Sequence, residues 1–121
     1  MHRITTLAAA AAAALAVAAA PAAAHTEVKS TSPSAGATKG TGLRAVTVTF
    51  TQVIQRGTLR VTGPGGTASN GSGGRDPRKI SRLKVGLKRG LEPGRYTARW
   101  TIKAVDGHTQ SGSFSFRLRR R

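Results

Sequence analysis

Cysteine is absent from all 121 residues. A domain of this composition has no disulfide to hold it together, and thiolate metal chemistry is excluded. Methionine occurs once, as Met1. Removal of a leader would therefore take away the only soft sulfur ligand of the kind that favours Cu(I), leaving nitrogen and oxygen to build any metal site. Only four acidic residues stand against 20 lysines and arginines. Two of the four, Asp76 and Glu92, sit beside prolines in turn-like stretches, which leaves little for hydrolysis by paired carboxylates. No serine occupies a nucleophile elbow, and no segment shows a sustained helical period.

The first two dozen residues read as a secretory leader. Met1-His2-Arg3 is a short basic start, and Leu7 to Ala20 is an unbroken, mostly alanine apolar run. That run falls short of the roughly 20 apolar residues a membrane span needs, and no later segment approaches that length. Ala22-Ala23-Ala24 offers the small-x-small pattern of a cleavage site before His25, with Ala20-Pro21-Ala22 as a competitor. The choice matters, because only cleavage after Ala24 makes His25 the new N-terminus. The expected organisation is a cleaved signal peptide over 1–24, one domain over 25–118 and a basic tail over 119–121, with the mature chain soluble and outside the cytoplasm.

Loss of Arg3 with the leader leaves 19 basic residues against four acidic ones, a net charge of +15. A field of that sign favours anionic surfaces such as nucleic acid, lipid headgroups or cell-wall polymers. Its plainer reading is a well-solvated exterior.

The remainder alternates in the manner of short strands. Val46, Val48 and Phe50 alternate with polar residues, as do Leu59 and Val61, then Leu83, Val85 and Leu87. Tyr96, Ala98, Trp100, Ile102 and Ala104 form the clearest series, followed by Phe114, Phe116 and Leu118, and a weaker strand is expected around Glu27 to Thr31. Glycine, proline, asparagine and aspartate punctuate the gaps. This pattern predicts an all-β immunoglobulin-like sandwich or barrel of about seven short antiparallel strands. Within it, Asn70 to Lys79 reads as a mobile, glycine-rich hairpin connection. Its Gly71-Ser72-Gly73-Gly74 lacks the spacing of a phosphate-binding loop.

Two histidines follow the leader, His25 and His108. An N-terminal histidine offers its α-amine and its ring nitrogen to one ion as a ready chelate, and such donors suit the tetragonal plane of Cu(II). Asp106-Gly107-His108 adds a carboxylate and an imidazole. On an extended strand, positions two apart share a face, so Asp106 and His108 could address the same ion. Asp-Gly is equally a strong hairpin signal, so these residues could turn the chain between the Tyr96 and Phe114 strands. The two readings are compatible.

Several blocks together resemble the CopC family of secreted copper-binding and copper-resistance proteins. They are Ala24-His25, Ser32-Pro33-Ser34-Ala35-Gly36, Val46-Thr47-Val48-Thr49-Phe50, Val61-Thr62-Gly63-Pro64-Gly65-Gly66, the run from Leu91 to Trp100, and the run from Asp106 to Phe116. The resemblance implies a Greek-key β-sandwich with one Cu(II) per chain, held by the amine and imidazole of His25 together with Asp106 and His108. Two departures stand out. Many relatives place a glutamate just after the phenylalanine that aligns with Phe50, where this chain has Thr51-Gln52, and the methionine-rich loop of Cu(I)-binding members is missing.

The expected function is therefore copper sequestration, tolerance or delivery without turnover, by a monomer that could pass copper to a membrane transporter and touch anionic surfaces through its basic residues. Two rivals use the same residues differently. A copper-dependent oxidative enzyme similar to the lytic polysaccharide monooxygenases also employs an N-terminal histidine and a second histidine, but Asp106 would occupy a position such an enzyme needs open. A cationic binding module would leave both histidines idle.

Overall fold

Period-two alternation places every second side chain of a strand on one face, and burying that face against another sheet removes it from water. The computed structural model describes residues 26–120. The expected leader, His25 and Arg121 lie outside the described residues.

Among the described residues, nine strands run in the order β1 (Val28–Ser32), β2 (Thr38–Gly40), β3 (Ala45–Phe50), β4 (Ile54–Gly63), β5 (Gly66–Thr67), β6 (Gly74–Asp76), β7 (Lys79–Gly86), β8 (Gly94–Ala104) and β9 (Thr109–Arg119). They form a four-stranded sheet, β1-β3-β7-β6, and a five-stranded sheet, β2-β9-β8-β4-β5. The expected all-β sandwich is what forms. Three of the nine, β2, β5 and β6, are short additions at sheet edges, two or three residues each, and the other six carry the pattern for which about seven strands were expected. One of these, β2, pairs parallel to β9 and thereby breaks the otherwise antiparallel pattern.

The core is made of the residues the alternation singles out. Val46, Val48 and Phe50 on β3, Leu59 and Val61 on β4, Leu83 and Val85 on β7, and the series from Tyr96 to Ile102 on β8 are all buried. Phe50 and Trp100 meet edge-on across the layers with ring centroids 5.0 Å apart. Room for the indole comes from Gly112, its partner on β9, since a Cβ there would collide with the ring. Tyr96 buries its ring and donates its hydroxyl to the Glu92 carbonyl at 2.6 Å, a corner that fixes the entry into β8. Burial pushes the Tyr96 phenol up from its ordinary range.

The segment from Asn70 to Lys79 departs from the expected mobile connection. The Ser72 carbonyl accepts the Leu59 N–H at 2.7 Å, and β6 pairs with β7. Asp76 is 6% exposed and accepts from the Arg78 N–H at 2.9 Å, while Arg82 makes an ion pair with it at 3.0 Å. The backbone donor at Arg78 and the Arg82 guanidinium hold its carboxyl below the usual range. Glycine content suggested freedom here. What it supplies is the tight curvature that folds the segment back onto β4 and β7.

Candidate metal centre

Three segments converge at one end of the sandwich. The first is the turn from β8 into β9. The Gly107 N–H donates to the Ala104 carbonyl, and the Ala104 N–H donates to the His108 carbonyl, both at 2.9 Å. This closes a three-residue loop with Gly107 at φ +94°, the left-handed position that such hairpins assign to glycine. Asp106 and His108 therefore lie on a hairpin loop, and the extended-strand argument for their shared face does not apply. A different contact unites them. One Asp106 carboxylate oxygen accepts the His108 N–H at 3.0 Å, and the other lies 3.0 Å from His108 Nδ1. The turn and the side-chain pair are one structure.

The second segment is the start of the described chain. Thr26 is buried, and its carbonyl accepts from Gln110 Nε2 at 2.7 Å. The third is the link between β3 and β4. Thr51 Oγ accepts the Glu27 N–H at 3.0 Å, and the Thr51 N–H donates to the Glu27 carbonyl at 2.8 Å. At the position where the resemblance leads one to look for a carboxylate, this chain uses a hydroxyl to secure the strand that follows the expected N-terminus. Ile54, just beyond, pairs with Ala104 at the base of the hairpin.

Asp106 and His108 are thus brought together, while His25 lies outside the described residues. Among the described residues, no group of three or more histidine, cysteine, aspartate or glutamate side chains could hold a metal ion. His108 is 73% exposed, so its ring is open to solvent above the loop. Sequence reasoning passed over Gln110 and Thr51 as contributors to this end of the molecule. A signal for Gln110 was present: it falls in register with Gly112, Phe114 and Phe116, the inward-facing positions of β9, where a polar side chain needs a partner.

The CopC domain model matches residues 28–119. The chain belongs to the CopC family. Protein YobA of Escherichia coli strain K12 is 29% identical to this CopC domain protein over 90 residues, covering 72% of this chain and 73% of the relative. The Shigella flexneri protein of the same name gives the same values. Among solved structures, CopC from Methylosinus trichosporium OB3b superposes with a TM-score of 0.67 at 18% identity, covering 80% of this chain and 96% of that one. PcoC from Escherichia coli, described as a methionine-rich copper resistance protein, gives 0.62 at 21% identity, covering 79% and 100%. At these identities the two structures speak for the fold, and the family match stands independently of them.

Proposed function

We propose that this CopC protein binds one Cu(II) ion outside the cytoplasm, through the α-amine and imidazole of an N-terminal His25 together with Asp106 and His108, and stores or delivers the ion without turnover. The observation that carries this reading is the bond from Gln110 to Thr26. It anchors the residue directly after His25 to the strand that begins directly after His108. Consecutive Cα atoms lie about 3.8 Å apart, so a chain beginning at His25 would carry its amine within a short reach of the hairpin.

The Asp106–His108 pair suits the ion in a second respect. Two donors about 2.0 Å from a metal and at right angles in a tetragonal plane are about 2.8 Å apart. The Nδ1–Oδ2 separation of 3.0 Å is close to that value. Copper bound at Nδ1 would replace this contact and take both groups as ligands, so the loop already holds the pair close to the spacing that the plane requires.

Family membership supports copper as the cargo, and the donor chemistry supports Cu(II). PcoC is described as methionine-rich, while this chain has only Met1. Without sulfur ligands the expected Cu(I) affinity is weak. Four protein donors in the plane also leave no equatorial position for a substrate, which separates this reading from an oxidative enzyme.

The deciding experiment acetylates the His25 amine, with the modified terminus verified by mass. Both imidazoles and the carboxylate survive, but the acetylated nitrogen no longer offers the lone pair of an amine. Cu(II) affinity should fall by orders of magnitude with a changed visible spectrum. Unchanged affinity would show that His25 is not an N-terminal chelate.

A further inference from the structure

The outer face of the five-stranded sheet carries basic residues directly opposite one another across neighbouring strands. Arg56 pairs with Lys103, and Arg60 with Arg99, between β4 and β8. Arg95 pairs with Arg117 between β8 and β9. Like charges in facing positions destabilise a sheet. Neither ion pair among the described residues, Arg82–Asp76 or His108–Asp106, involves any of these six side chains. Hydroxyl groups fill the positions between them: Thr101 meets Ser111 at 3.2 Å and Thr97 meets Ser115 at 3.3 Å. A shallow groove lies at each end of the face. One, of about 270 Å³, is lined by Arg56, Thr58, Thr101 and Lys103. The other, of about 460 Å³, is lined by Gly36, Arg95, Ser115 and Arg117.

We infer that this face is a docking strip for a linear phosphodiester polymer of the cell envelope, of the poly(glycerol phosphate) type, with an anionic group seated in each groove. The inference takes from the proposed function only the export of the chain. Charge complementarity supplies the sign of the partner, and the dimensions supply its form. From Lys103 to Arg95 along β8 is about 26 Å at the usual strand rise, and the axes of β4 and β9 are about 10 Å apart. That is a strip suited to an extended chain. Single-stranded nucleic acid is recognised by aromatic platforms, and this face has none. Nor does it carry an apolar anchor for a bilayer: the exposed large hydrophobics, Val28, Val53, Ile80 and Val105, all lie off the outer face of β4, β8 and β9.

The test compares the full mature protein with two variants of equal net charge. The face variant is R60Q/R95Q/R99Q/R117Q, and the control, K29Q/K79Q/K88Q/R89Q, removes exposed charges elsewhere. Binding of labelled poly(glycerol phosphate) is followed by anisotropy over a range of salt. Losing four phosphate contacts should lower the slope of log K against log salt by about 3 in the face variant, with a much smaller change in the control. Equal losses in both variants would mean diffuse attraction and would overturn the proposal. Tighter binding of charge-matched oligothymidylate or phosphatidylserine vesicles than of the polymer would overturn the choice of partner. Thermal midpoint and Cu(II) titration check folding and the copper reading separately, so loss of polymer binding with both intact is specific to the strip.

Discussion

Gln110 donates its side-chain amide to the Thr26 carbonyl at 2.7 Å, across 84 positions of sequence. The contact joins the first described residue to the strand leaving the Asp106–His108 hairpin, and it makes Gln110 a positioning residue for whatever precedes Thr26. Gln110→Leu should leave a covered carbonyl without a donor, which costs about 1–3 kcal/mol. Cu(II) affinity should fall as well, by about 10–100-fold if Gln110 supports the ligand set as outer partners of metal ligands do. Thermal unfolding and a competitive Cu(II) titration measure the two effects. A stability loss with unchanged affinity would reduce Gln110 to packing.

Asp106 has two tasks, and the substitution Asp106→Asn separates them. Its Oδ1 caps the His108 N–H, a task that the amide oxygen of an asparagine side chain can also perform. The Asp106→Asn apoprotein should therefore unfold within about 0.5 kcal/mol of the parent. Cu(II) affinity should nevertheless drop at least about tenfold, because the anionic donor is gone. Quenching of Trp100, the only tryptophan, provides a convenient titration signal. An apo stability as low as that of Asp106→Ala would mean the charge itself holds the hairpin.

The strands and the core were legible because alternation is a local signal, and burial follows it from Val46 to Leu118 with Phe114 alone of the singled-out residues only partly buried. The hairpin was legible too, in Asp106-Gly107. Its joint action with His108 was expected for a different reason, the shared face of an extended strand, whereas capping of the His108 N–H is what joins them. The meeting of Thr26 with Gln110 and of Glu27 with Thr51 was not legible, since both depend on how distant strands register. The Asn70 to Lys79 segment was misjudged because glycine content reports local freedom, while the anchoring of Asp76 comes from Arg82 on the next strand.

Asp76 also predicts an acid response. Its folded-state pKa is depressed, chiefly by the Arg78 N–H and also by Arg82. The folded protein therefore resists protonation at a pH where the unfolded chain already accepts it. The stabilisation is complete above the ordinary carboxyl range, near pH 4, and is lost as pH falls through the depressed folded value. Asp76→Asn should lower the midpoint at neutral pH and flatten its decline below about pH 4. A parallel decline in both proteins would assign acid sensitivity to other groups.

The facing pair Arg60 and Arg99 yields a prediction of opposite sign, a gain in stability from removing a charge. The two residues are directly opposed on neighbouring strands, and the contact from Arg99 to Thr62 Oγ, at 3.4 Å, is long and exposed. Arg99→Thr removes the repulsion and substitutes a residue suited to a strand. The apoprotein should gain about 0.2–1 kcal/mol at low ionic strength. For a domain of this size that raises the midpoint by up to about 4–8 °C. Because the effect is electrostatic, it should shrink toward zero in 1 M salt, where the screening length is about 3 Å. Differential scanning calorimetry at two salt concentrations separates the terms. A gain that persists in high salt would reflect strand propensity alone, and a loss at low salt would show that the facing arginines are accommodated without repulsion, removing one support for a face arranged to receive a polyanion.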